Sequence, residues 1–274
     1  MSNSNSSSET WSLKGKAAII TAGSRGIGSR IAVHFARKGL SNLAITYLAN
    51  KAEAENTIEK CRELGVNAIA LQADVTDATV GRNIIKDALN GLNVTTVDIL
   101  VNNAALSDIS RAANVKTVEA ENFNEIMIAN VYTPVSLMVA FMEFAPKNGG
   151  RVINISSLAS KLGNADPMIT YGATKAALDS FTRSFANTFS AATGITFNSV
   201  CVGPTETDAF AMVSSLIPGF HDMQIAMSTA ASRVGNVDDI AYIVGFLASE
   251  EGRWVNGASV SANGGHRQTL ALFG

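Results

Sequence analysis

The chain is sparing with several residue types. Its 274 residues include two cysteines, five prolines, two tryptophans and four tyrosines, and only 16% are charged. Cys61 and Cys201 lie far apart, one in a helical pattern and one in a strand pattern. That excludes a disulfide framework and predicts two buried thiols in a reducing, cytoplasmic setting. His34, His221 and His266 lack metal-ligand spacing, and no cysteine cluster or His-Glu-x-x-His motif accompanies them, so no metal site is expected. A net charge of −2 with no basic run argues against a nucleic-acid partner or an anionic membrane surface. The apolar stretch at residues 135–141 is far too short to cross a bilayer. The opening SNSNSSSET has neither a basic nor an apolar leader segment and reads, through residue 12, as a disordered tail.

What is present is apolar: 47% of residues are hydrophobic, enough for a well-buried core or for apolar interfaces between subunits. Between Lys16 and Gly264 strand patterns alternate with helix patterns, without linker, repeat or break in composition. Residues 13–274 therefore read as one Rossmann-type, doubly wound α/β domain with a parallel seven-stranded sheet flanked by helices.

The first strand, AAIIT, runs into AGSRGIG and then into a helix with Ile27, Ile31, Val33 and Phe35 on its apolar positions. Strand, glycine-rich turn and helix in this order make a phosphate site. Glycines admit a pyrophosphate close to the backbone, and the helix start offers unpaired N–H groups and partial positive charge. Gly23, Ser24, Arg25, Gly26, Ile27 and Gly28 are the candidate contacts. After the second strand, NLAITYL, a dinucleotide fold faces the adenosine ribose, where a carboxylate would hold the 2′-hydroxyl of NAD. Here Tyr47, Asn50 and Lys51 stand in that region with no acid before Glu53. With Arg25 they suit a 2′-phosphate, so the expected cofactor is NADP(H). Ile58 and Leu64 mark the apolar face of the next helix.

Later in the chain, Tyr171 and Lys175 fall four residues apart in a helix that opens with the tyrosine, so both project from one side. At roughly 4 Å and an effective dielectric of about 20, the ammonium stabilises a phenolate by about 4 kcal/mol, which brings a tyrosine toward neutral pH. Ser157 ends the preceding strand fourteen residues earlier, with Ser156 as the competing hydroxyl. Asn130 interrupts an apolar helix and needs buried partners, of which a neighbouring backbone group is the plainest. Asp74, at the end of the third strand beside Val75, can cap the helix that follows.

Taken together these segments resemble the short-chain dehydrogenase/reductase family over nearly the whole chain. Thr21, Gly26 and Gly28 match its T-G-x-x-x-G-x-G loop, with Ala22 in the place of the first glycine. Either Ala22 takes a glycine-like conformation, at about 1 kcal/mol, or the turn shifts by one residue. Asn102, Asn103, Ala104 and Ala105 match N-N-A-G, and Val202, Gly203, Thr205 and Thr207 fall on P-G-x-x-x-T with valine for proline. The TAGSRGIG and ITYLAN stretches resemble the fungal naphthol-reductase-like branch.

The resemblance implies reversible reduction of a ketone to an alcohol. Tyr171 would be the acid, Lys175 its electrostatic partner and a grip on the nicotinamide ribose, Ser157 the substrate-orienting hydroxyl, and Asn130 the holder of a proton-relay water. It assigns Asp74 to the adenine amino group, with Val75, Asn103 and Ala104 beside the cofactor, and Gly203, Thr205 and Thr207 to the nicotinamide carboxamide. It also implies dimers or tetramers built on the helices beginning near Asn122 and Tyr171. Residues 207–232 carry Phe210, Met212, Phe220, Met223 and Met227; this segment is a core-covering helix pair or, as the resemblance implies, a lid for an apolar or aromatic small molecule. Two other readings stay open: isomerisation, epimerisation or cyclisation using bound NADP(H), and a sensor of NADP(H) without turnover.

Overall fold

A computed structural model describes residues 11–106, 115–147 and 149–270. Most of the expected N-terminal tail and the stretch before Val115 lie outside them. Seven strands form one parallel sheet in the order β3-β2-β1-β4-β5-β6-β7. They are β1 Ala17–Ile20, β2 Asn42–Tyr47, β3 Asn67–Gln72, β4 Ile99–Asn102, β5 Arg151–Ser157, β6 Thr196–Val202 and β7 Ser259–Ala262.

Side chains alternate across the strands. Ala18, Ile20, Leu43, Ile45, Ile99 and Val101 enter the core under α1 (Gly26–Arg37), α2 (Lys51–Arg62) and α9 (Val237–Ala248). Ile19, Ala44, Leu100 and Val152 enter the opposite core under α3 (Val80–Leu92), α5 (Thr133–Phe144) and α6 (Ile169–Thr193). Both faces are thus covered, as parallel strands require. The strand order reverses between β1 and β4, so the loops after these strands part and leave a crevice at their carboxyl ends.

Four details differ from the sequence expectations. The tail gives way by Trp11, whose N–H donates to Glu251 at 3.0 Å and whose ring packs on Phe246. Leu64 is exposed and lies past the end of α2, while Ile58 is buried as expected; the chain turns at Gly65, where φ is +86°. Helix α6 begins at Ile169, two residues ahead of Tyr171. The pair α7 (Asp208–Leu216) and α8 (Phe220–Met227) covers no core: neither helix has a buried residue, and they meet through Phe210 and Phe220, centroids 5.8 Å apart.

The apolar helix around Asn130 has three parts: α4 (Ala120–Met127), a π-turn over Ile128–Tyr132, and α5. This 25-residue stretch is long and apolar enough to cross a membrane by length and composition. Its residues Leu137, Met138, Ala140 and Phe141 are buried in the core, as in a sheet-covering helix. The remaining described helix, α10, spans Arg267–Leu270.

Candidate active site

The glycine loop keeps its register because Ala22 takes the glycine-like backbone itself, with φ at +50°. A Cβ on Gly28 would lie 2.3 Å from the Ala22 carbonyl oxygen, so loop and helix start are pressed together there. Thr21 fastens this loop to the end of β4. Its hydroxyl accepts from the N–H of Asn103 and of Ala104, each at 2.9 Å, and the Asn103 amide donates back to the carbonyls of Thr21 and Ala22. Thr21 was legible as a motif position, but its part in joining the two sides of the crevice appears only in three dimensions.

Helix α1 opens on Arg25 with no side-chain cap and no acid in its first turn, which leaves its first N–H groups for an anion. Ser24 and Ile27 are half-buried beside it. Asn50 caps α2 by accepting from the Glu53 N–H at 3.2 Å, and Lys51 is exposed next to it, without an ion pair among the described residues. Tyr47, the last residue of β2, is buried and packs with the core. Asp74 does not cap α3. Its Oδ1 accepts from the N–H and the hydroxyl of Thr76, a local turn that ends before the helix begins at Val80. The Val75 carbonyl accepts from Thr133 at 2.9 Å. Arg25 pairs with Asp208, at the start of α7, at 3.0 Å, with both side chains largely exposed.

Residues after β6 close the other side. The Gly203 N–H donates to the Ala262 carbonyl, and Thr205 is buried with its hydroxyl on the Gly203 carbonyl. Thr207 caps α7 through the Phe210 N–H. A Cβ on Gly26 would sit 3.7 Å from the Thr207 methyl, so this segment faces the glycine loop. Free helix N–H groups, cations at Arg25 and Lys51, and the lack of a carboxylate after β2 together fit a dinucleotide bearing a 2′-phosphate.

At the end of β5 the catalytic candidates converge. The Lys175 ammonium, 2% exposed as a residue, donates to the Ile155 carbonyl at 2.8 Å and lies 5.7 Å from the centre of the Tyr171 ring. Ser157 stands at the strand end, accepting from the Ala159 N–H at 3.1 Å. Burial pushes the Tyr171 phenol above its ordinary value, and a hydrogen bond with Ser157 opposes the rise. Burial also brings Lys175 down to about 8, against the pull of Asp179. The expectation that Lys175 draws Tyr171 toward neutrality is therefore corrected. Each group is desolvated, and desolvation disfavours phenolate and ammonium alike.

Asn130 sits in the π-turn, fully buried. It accepts from the Leu106 N–H at 2.7 Å and donates to the Leu106 carbonyl and to Thr174, which holds it to the catalytic helix. Thr174 and Asp179 escaped the sequence reading. Asp179 left a trace, since it repeats the four-residue step from Tyr171 and Lys175.

A doubly wound nucleotide fold with serine, tyrosine and lysine gathered beside its switch point defines a class of redox enzymes. Residues 21–267 match the family model described as enoyl-(acyl carrier protein) reductase. Short chain dehydrogenase penD of Penicillium thymicola is 58% identical over 262 residues, covering 95% of both chains. A short chain dehydrogenase from Burkholderia cenocepacia in complex with NADP superposes with a TM-score of 0.81 at 32% identity, covering 92% of this chain and 98% of its own. The reductase LugOII, which catalyses keto-reduction at C1 during lugdunomycin biosynthesis, gives a TM-score of 0.80 at 34% identity, covering 92% and 98%. The chain belongs to the short-chain dehydrogenase/reductase family of oxidoreductases. Of the naphthol-reductase-like fungal branch expected from the TAGSRGIG and ITYLAN stretches, penD bears out the fungal kinship.

Proposed function

We propose that the protein reduces a ketone on an apolar or aromatic small molecule to an alcohol with NADPH. The observation that carries this reading is the convergence of Ser157, Tyr171 and Lys175 at one strand end, beside a crevice suited to a 2′-phosphorylated dinucleotide. NADPH supplies the hydride, and the chain's residues manage the substrate oxygen.

Burial keeps Tyr171 protonated, the form a donor needs in the reductive direction. As hydride reaches the carbonyl carbon, the Tyr171 phenol gives its proton to the oxygen, and the Ser157 hydroxyl orients that oxygen. Lys175 carries the charge that stabilises the resulting phenolate. Asn130 has both amide hydrogens committed, so a relay water there would donate to it. Residues 207–232 serve as the lid, and the exposed Met212, Leu216, Ile217 and Met223 give it an apolar surface. The same fold supports the NADP complex from Burkholderia cenocepacia and the keto-reduction by LugOII.

Subunits would associate through α4–α5 and α6, which expose Phe123, Tyr132, Val139 and Phe181; gel filtration reads the resulting dimer or tetramer. For the activity, the test is a panel of ketones, quinones and polyphenols with NADPH. The expected result is alcohol formed in step with NADPH consumed. Product formed without net NADPH oxidation would replace this reading with isomerisation or cyclisation.

A further inference from the structure

We propose that Asp179, paired with Lys161, is a positioning residue of the reductase: it fixes the turn that carries Ser157 and sets the pH range over which Lys175 stays charged. The proposal rests on Lys175 being the cation of the reaction proposed above.

Tyr171, Lys175 and Asp179 follow one another at four-residue steps, so they share a face of α6. Asp179 is 2% exposed, and its Oδ2 accepts from the Ser160 hydroxyl at 2.8 Å and the Lys161 ammonium at 2.7 Å. Ser160 closes the short 3₁₀ turn Leu158–Ser160 that Ser157 caps. A second clamp acts on the same loop. The Asn164 amide donates to the carbonyls of Ala159 and Leu162, and it lies so near Gly172 that a Cβ there would fall 2.1 Å from its nitrogen. The loop after Ser157 thus packs closely on the catalytic helix at Gly172, beside Tyr171, and is bonded to it one turn beyond Lys175.

An ion pair whose carboxylate is buried and whose ammonium is half-buried is a poor choice for stability alone, since apolar residues of equal volume commonly do as well. This one places a carboxylate one helical turn from a buried catalytic ammonium. Burial pushes Asp179 up, and its bonds from Lys161 and Ser160 bring it below the usual range, while Oδ1 closes no hydrogen bond among the described residues. Asp179 is therefore an anion at neutral pH, and its charge favours the ammonium of Lys175. Around Asp179 and Lys175 the charged and titratable groups are Lys161 from the turn, which pairs with Asp179, Tyr171 from α6, whose ring lies by Lys175, and Cys201 from β6. Burial raises the Cys201 thiol to about 11, so it stays neutral over the working range.

The test uses the full chain with Asp179→Asn, Lys161→Met and the double variant. Two readouts are taken: the pH profile of kcat for ketone reduction, and the titration of Lys175 by NMR of protein carrying ¹³C-labelled lysine, assigned with Lys175→Met. Asp179→Asn should move the alkaline limb and the Lys175 titration toward acid by about one to two pH units. Lys161→Met should move both toward alkali, and the double variant should return them close to the parent. A fall in kcat with both midpoints unmoved, or a shift in the same direction for both single variants, overturns the proposal. Should Asp179→Asn fail to fold, Lys161→Met and the double variant carry the test by the same signs. Shifts of Lys175 with these signs in a protein that reduces no ketone would uphold the pair and sink the proposed reaction instead.

Discussion

The Lys175 ammonium donates to the main-chain carbonyl of Ile155 at 2.8 Å, two residues before Ser157. This bond crosses from helix α6 to strand β5 and sets the depth at which the cation lies beneath the Tyr171 ring. Because the site is desolvated, Lys175 loses its proton near pH 8. The reductive rate should therefore fall as pH rises through about 8, and a profile flat to the pH where free lysine titrates would contradict this.

Ala22 stands in the left-handed region, with φ at +50°, at a cost of about 1 kcal/mol relative to glycine. Ala22→Gly should raise the thermal midpoint by roughly 2 °C, read by calorimetry, and leave NADPH binding intact. Gly28→Ala should do the reverse, weakening NADPH binding at least tenfold, because its Cβ would collide with the Ala22 carbonyl.

Much of this arrangement is legible in the sequence. The apolar strand runs and the glycine loop between β1 and α1 fix the sheet and the crevice, and the four-residue step from Tyr171 to Lys175 survives as a shared helix face. What escapes is whatever depends on burial or on distant partners. The charge of Lys175, read in isolation, lowers Tyr171, yet the folded site raises it because the phenol itself leaves water. Asn130 finds Leu106 and Asp179 finds Lys161 across loops whose path no local pattern encodes. Leu64 looks apolar and periodic, but the chain turns before it can join the α2 face.

Cofactor choice should rest on Lys51 and Arg25. Lys51→Glu puts a carboxylate where a 2′-phosphate would lie, and loss of a charge-assisted contact is worth about 10- to 100-fold in affinity. The KM for NADPH should rise by that factor while the KM for NADH stays level or falls. Equal rises for both cofactors would show that Lys51 does not face the 2′-position.

His34 is buried between α1 and α9, its ring 5.1 Å from that of Tyr242. Burial, with Lys38 and Arg30 nearby, lowers it to about 4. The unfolded chain takes up this proton near pH 6.5, before the folded protein does. The neutral histidine's contribution is therefore present above about pH 6.5 and is lost as pH falls toward 4, by at most about 3 kcal/mol. Urea denaturation across that range should show the loss, and His34→Leu should flatten it.

Tyr171→Phe tests the central claim most directly, because it removes one oxygen and preserves the ring. With circular dichroism and NADPH binding unchanged, kcat for ketone reduction should fall by about 10²- to 10⁴-fold, the range expected for loss of a general acid. A variant that binds NADPH and still reduces the ketone near the parent rate would show that the proton comes from elsewhere.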